Sequence, residues 1–138
     1  MHAGIAVIAG ITGMEVFVAE RVERVERLNP EVLGAGARLG ERATLVQFSS
    51  AFCQPCRATR RTLAEVAAMV EGVVHLEVDA EEHLALVREL EVTGTPTVFV
   101  LDARGRIVRR ATGQPRKADV IAALGAAVDT SPAAEGPE

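Results

Sequence analysis

The chain has no tryptophan and no tyrosine, and only four phenylalanines in 138 residues. A core without large aromatic rings has to be packed from Val, Leu, Ile and Ala. Cysteine is as scarce, with two in all. That excludes a secreted scaffold stapled by many disulfides. Histidine is limited to His2, His75 and His83. Structural zinc normally takes four Cys or His ligands, with a second pair at a recognisable spacing, and no second pair exists here. His75, in a strand, and His83, at a helix start, are therefore expected as structural or surface residues. An iron–sulfur cluster within one chain fails for want of thiolates, which leaves only a cluster shared between two chains. Charge of either sign is not concentrated: the net value is −4, and nothing in it points to nucleic acid as a partner. There is no phosphate-cradling P-loop and no Ser-His-Asp arrangement around Ser49 or Ser50.

Basic residues are also missing from the start of the chain, so residues 1–19 lack the opening of a secretory signal. His2 to Ala19 is almost all apolar and small, with Glu15 inside it, and is marginally long enough to cross a bilayer. Arg21, Arg24 and Arg27 follow it, and that bias would hold the main domain on the cytoplasmic side of a membrane. Two readings stand for this segment. It is a membrane anchor, or it is a buried or edge strand in which "MEVFVAERV" alternates loosely. The expected location is cytoplasmic in either case, free or anchored.

What remains is a chain sized for one domain with one core, residues 20–128. Arg21 to Gly40, punctuated by Pro30, Gly34, Gly36 and Gly40, reads as a short lead-in and a turn-rich connection holding a short helix. Ala43 to Ser50 reads as a central strand, and Cys53 to Glu71 as a helix ended by Gly72, with Leu63, Val66, Ala67 and Val70 on one face. Val73 to Ala80 is a strand. Glu81 to Val92 is a short helix with Leu84, Val87 and Leu90 inward. Pro96 to Asp102 and Arg106 to Gly113 are strands joined by the "DARG" turn. Pro115 to Val128 is a last helix with Val120, Ile121, Leu124 and Val128 buried, and residues 129–138 form a loose tail. The order β-α-β-α-β-β-α implies an α/β fold with a mixed central sheet and helices on both faces. Strand–helix–strand units imply parallel pairing, and the late turn implies an antiparallel edge.

Both cysteines, Cys53 and Cys56, fall in "SSAFCQPCRATRR", where the central strand feeds a helix. In open α/β sheets that end of the strands is where sites form. A bond between them would close so small a loop that it would restrain the unfolded chain little, so scaffold stabilisation is a poor reason for the spacing.

Three segments together resemble the thioredoxin family. "LVQFSSAFCQPCR" is similar to its strand, turn and Cys-x-x-Cys helix start. "VTGTPTVFVLD" is similar to the loop and strand carrying its cis-proline, here Pro96. "DARGRIVRRATG" is similar to its final hairpin and glycine, here Gly113. The resemblance covers Ala43 to Val128 well and Glu20 to Arg42 loosely. In outline the chain also resembles membrane-attached bacterial forms with an apolar leader. The resemblance implies a thioredoxin-like fold and a protein thiol–disulfide oxidoreductase, acting as a reductant of protein disulfides. It implies a thiol or reductase as electron donor and no cofactor besides the Cys53–Cys56 disulfide. The competing functions are an oxidase or isomerase outside the cytoplasm, which shares the chemistry and differs in redox poise, and a non-catalytic binding module, against which the intact cysteine pair argues.

Cys53, at a helix N-terminus, faces unpaired N–H groups that favour thiolate, the reactive form. It is the expected nucleophile and Cys56 the resolving thiol. Arg57, one turn on, adds positive charge. Arg57, Arg60 and Arg61 either serve the thiol and acidic partners or form a solvated surface with Arg61 beside Glu65. Pro55 shapes the first helical turn. By resemblance, Phe52, Gln54, Pro55, Gly94, Thr95 and Pro96 face the substrate, Thr95 through its backbone. The sequence departs from the family at three places. Phe52 stands for the usual Trp, Gln54 for Gly, and Gln47 for the buried acid. An amide cannot take a proton as a carboxylate does, so Cys56 lacks the usual base.

Overall fold

The computed structural model describes residues 18–19, 27–34 and 37–130. Its elements are β1 (Val18–Ala19), α1 (Pro30–Leu33), β2 (Ala43–Ser49), α2 (Gln54–Met69), β3 (Val73–Asp79), α3 (Leu84–Glu89), β4 (Thr97–Asp102), β5 (Ile107–Thr112) and α4 (Lys117–Thr130). The strands form one sheet in the order β1-β5-β4-β2-β3. All seven residues of β2 are buried, as a strand covered on both faces requires.

Alternation along the strands splits the core in two. Ala43, Leu45, Val98 and Val100 face Leu63 and Val66 of α2 and Val120 and Leu124 of α4. Val46, Phe48, Phe99 and Leu101 face Leu28, Leu33, Leu86 and Leu90 on the other side. Helices thus cover both faces, and the core is aliphatic apart from Phe48 and Phe99, which meet edge to face at 5.6 Å. Arg110 lies over Phe99 at 4.8 Å and donates to the carbonyls of Leu90 and Glu91, which ties β5 to the end of α3.

β2 and β3 run parallel, and β4 and β5 form the antiparallel hairpin. The second strand–helix–strand unit does not pair in parallel: β4 lies antiparallel to β2. The reason is length. A six-residue α3 rises about 9 Å, well short of the roughly 23 Å of a seven-residue strand, so the chain re-enters the sheet from the end at which it left. The hairpin turn is held by buried Asp102, which accepts from the backbone N–H groups of Arg104 and Arg106 and from the Arg106 side chain.

Several element boundaries and faces differ from the periodic reading. Helix α2 ends at Met69, capped by extended Val70, and Gly72, at φ +84°, sits in the turn beyond. Residues 80–82 form a separate 3₁₀ turn capped by the Asp79 carboxylate, so α3 starts late and Leu84 faces solvent while Leu86 is buried. In α4 Ile121 is exposed, and Ala123 and Ala127 take the buried stripe beside Val120 and Leu124. Small residues seat that helix close to the sheet, which a search for large apolar residues overlooks. Asp129 and Thr130 belong to α4 rather than to a tail, and residues 131–138 lie outside the described residues. Of the apolar leader only Val18–Ala19 is described, paired as an edge strand with Arg110 and Arg109. The anchor reading otherwise lies outside the described residues. Among the described residues no helix is long and apolar enough to cross a membrane.

Candidate active site

The chain leaves β2 at Ser49, turns through Phe52 in the left-handed region (φ +59°), and enters α2 with Cys53 as N-cap. That turn throws the Phe52 ring fully into solvent. Pro55, in the first turn of α2, gives up only an N–H that the helix would leave unpaired. Cys53 and Cys56 are joined by a disulfide, their Cα atoms 5.1 Å apart. The two sulfurs differ in setting. Cys53 is partly exposed and its Sγ accepts the Cys56 N–H at 3.1 Å, whereas Cys56 is 1% exposed. A donor aimed at Cys53 Sγ stabilises a thiolate there once the bond opens.

The Thr95–Pro96 bond is cis. Its loop is tied to the cysteine turn by a hydrogen bond between the Ser50 and Thr95 hydroxyls at 2.7 Å. Thr97 Oγ1 donates to the Gly94 carbonyl, and Gly113 N–H donates to the Pro96 carbonyl, so the final hairpin braces the same loop. Gly94 is exposed and Pro96 buried. Gln54 and Arg57 lie exposed on the first turn of α2. Arg60 does not belong to a free basic cluster: it forms a two-pronged pair with Glu77 at 2.7 and 2.9 Å. Glu65 pairs with Lys117 at 3.3 Å.

Gln47 is fully buried, and its Nε2 donates to the Cys56 carbonyl and to Ser49 Oγ, each at 2.9 Å. A carbonyl only accepts, so the amide nitrogen must face Cys56 and Oε1 must face away. Oε1 lies 3.1 Å from His75 Nε2, which therefore carries the hydrogen. Ser49 Oγ passes its own hydrogen to Glu77 Oε2 at 2.7 Å. The result is a directed polar chain from His75 through Gln47 and Ser49 to Glu77, which also accepts from Arg60. Burial pulls the His75 imidazole below its ordinary value; Glu77 opposes that fall and Arg60 adds to it. The hydrogen bond from Arg60 holds Glu77 below the usual carboxylate value. Partial burial works against this, and Ser49, the charge of Arg60 and His75 reinforce it.

His75, Glu77 and Ser49 were not singled out in the sequence as site residues, and Arg60 was weighed only as part of an arginine cluster that serves the thiol or is solvated. The available signal was register: Gln47 pairs with Glu77 in the parallel ladder, and His75 and Glu77 share a strand face. Among the described residues, no group of three or more His, Cys, Asp or Glu is placed to hold a metal ion.

Comparison with known proteins agrees with this geometry. Residues 35–128 match the family model described as a thioredoxin-like domain. The chain is similar to thioredoxin H5 of Arabidopsis thaliana, at 31% identity over 56% of this chain and 64% of that one. It is similar to an H-type thioredoxin of Picea mariana, at 31% identity over 67% of this chain and 75% of the relative. It thus spans just under two thirds of the Arabidopsis protein, 64% of its length. Among solved structures, thioredoxin-2 of a malaria parasite superposes with a TM-score of 0.57 at 20% identity, covering 66% of this chain and 88% of the other, a likeness of fold.

Proposed function

Because the chain belongs to the thioredoxin-like domain family, matched over residues 35–128, we propose that it is a protein thiol–disulfide oxidoreductase working as a reductant of protein disulfides. The observation that carries this reading is the Cys53–Cys56 disulfide at the N-terminus of α2, with Cys53 partly exposed and Cys56 buried.

The reaction starts from the dithiol. The Cys53 thiolate attacks one sulfur of a substrate disulfide. A Cys53–substrate bond forms, the substrate S–S bond breaks, and the leaving thiolate takes a proton from solvent. Cys56 then loses its proton and attacks Cys53 Sγ. The Cys53–Cys56 bond forms, the mixed disulfide breaks, and the second substrate thiol is released. The substrate gains two electrons and, from solvent, two protons; the cysteine pair gives up two electrons, the Cys56 proton and the proton Cys53 shed in forming its thiolate. A second dithiol, free or borne by a reductase, returns them.

Phe52, Gln54 and Pro55 on one side and Gly94, Thr95 and Pro96 on the other form the surface for an extended substrate chain. The exposed Phe52 ring supplies apolar contact, and Arg57 adds positive charge beside Cys53. Gln47 modulates Cys56 from beneath.

Equilibration of the dithiol against glutathione tests the direction. A strongly reducing potential, near that of thioredoxins at about −270 mV, is expected. A potential near those of strong oxidants, about −120 mV, would assign the protein to disulfide formation instead. Failure to form the disulfide at all would remove the oxidoreductase reading.

A further inference from the structure

The buried Gln47 amide uses both of its N–H groups, on Cys56 O and Ser49 Oγ. An isolated amide in an apolar pocket has two orientations related by a flip, and only one of them offers hydrogens to Cys56. Three groups around it bias the choice. The Cys56 carbonyl only accepts. Ser49 accepts because its own hydrogen is drawn off by the Glu77 carboxylate, which Arg60 in turn holds ionised. The third is His75, the only one of the three that contacts Oε1. Without that donor, the buried oxygen of Gln47 loses the one hydrogen bond it makes among the described residues, and an unmet buried acceptor is costly.

Cys56 is the residue whose sulfur must reach Cys53 Sγ to release the substrate, and its backbone carbonyl is held by this amide. The geometry points to His75 as a positioning residue for the resolving half-reaction: its Nε2–H locks the Gln47 amide in the orientation that clamps the Cys56 carbonyl, and so fixes the first turn of α2 while Cys56 Sγ attacks the mixed disulfide. The role rests on the oxidoreductase reading above. His75 touches neither sulfur in the structure and acts through Gln47. It needs no proton transfer through the amide, because His75 donates whether the ring is neutral or charged. The Ser49–Glu77–Arg60 arm supports the other end of the same amide, so the clamp spans β2, β3 and α2.

The test pairs two variants. His75→Leu removes the donor at similar volume. His75→Gln restores it, since the glutamine Nε2 lies the same number of bonds from the backbone as the histidine Nε2. Single-turnover mixing of each reduced protein with a labelled disulfide substrate separates attack by Cys53 from resolution by Cys56. Resolution should slow by about tenfold in His75→Leu, with attack unchanged, and should recover in His75→Gln. In NMR spectra the Gln47 side-chain N–H pair should be protected from exchange in the native protein and His75→Gln, and exposed to exchange in His75→Leu. Equal slowing of both steps in His75→Leu, no slowing, or no recovery in His75→Gln overturns the role. Protection of the Gln47 amide that survives in His75→Leu overturns it as well. A native protein that opens no substrate disulfide sinks the oxidoreductase reading itself, and this role with it, while the variants then have nothing to slow.

Discussion

The side-chain nitrogen of Gln47 donates to the main-chain carbonyl of Cys56 at 2.9 Å, from a position fully shielded from solvent. An amide thus occupies the place beneath the cysteine pair where the resemblance puts an acid, and it is matched to its surroundings by hydrogen-bond direction rather than by charge. Gln47→Glu is the sharpest probe of that match. The replacement keeps the shape and turns two donors into acceptors facing a carbonyl and a hydroxyl. At neutral pH it should destabilise the oxidised protein by about 2–4 kcal/mol, from the two lost donor hydrogen bonds and a buried charge met only by the His75 donor. Urea midpoints of the two proteins check this. A midpoint unchanged at neutral pH would show that the amide is not needed as a donor.

Thr59 makes the opposite prediction. Its hydroxyl lies on the buried face of α2, one turn beyond Cys56, and among the described residues it is the one buried side-chain polar atom without a partner. Thr59→Val keeps the branched shape and removes the unmet group. Stability should rise by about 1 kcal/mol. A fall of similar size in the denaturant midpoint would mean that the hydroxyl is satisfied in solution.

Stability should fall on acidification in two stages. His75 has a folded value below the ordinary 6.5, so the unfolded chain takes up its proton first; the contribution is whole above pH 6.5, drops as pH falls from there to the folded value, and then levels. Glu77 is depressed below 4.5, so its contribution is whole above pH 4.5 and is lost as pH falls through its folded value. His75→Gln should flatten only the upper stage. Unfolding free energies between about pH 2 and about pH 8 test this. Parallel curves for the two proteins would show that the imidazole is not held neutral by the fold.

The order of elements, the buried central strand and the placement of both cysteines were legible in the sequence, because each leaves a local pattern. "LVQFSS" is apolar enough for only one position in a sheet, and Cys-x-x-Cys before a helical period marks a strand-to-helix junction. The direction of β4 was not legible, because it follows from how far α3 carries the chain, and that depends on where a 3₁₀ turn gives way to a helix. The buried stripe of α4 was misread at Ile121 because alanine can pack as closely as isoleucine when a helix sits near a sheet. The network beneath Cys56 was hidden for a different reason. Gln47 and His75 are 28 positions apart and meet only through parallel register and one shared face. Nothing in either local segment distinguishes a histidine that orients a buried amide from one that decorates a surface.

The most direct measurement is trapping with Cys56→Ser. The reduced variant is mixed with a disulfide-bonded protein, and the adduct is digested and mapped by mass spectrometry. The account predicts a stable mixed disulfide through Cys53, absent from the native protein because Cys56 resolves it. No adduct in Cys56→Ser, together with preferential alkylation of Cys56 over Cys53 in the reduced native protein, would contradict the assignment of Cys53 as the attacking thiol.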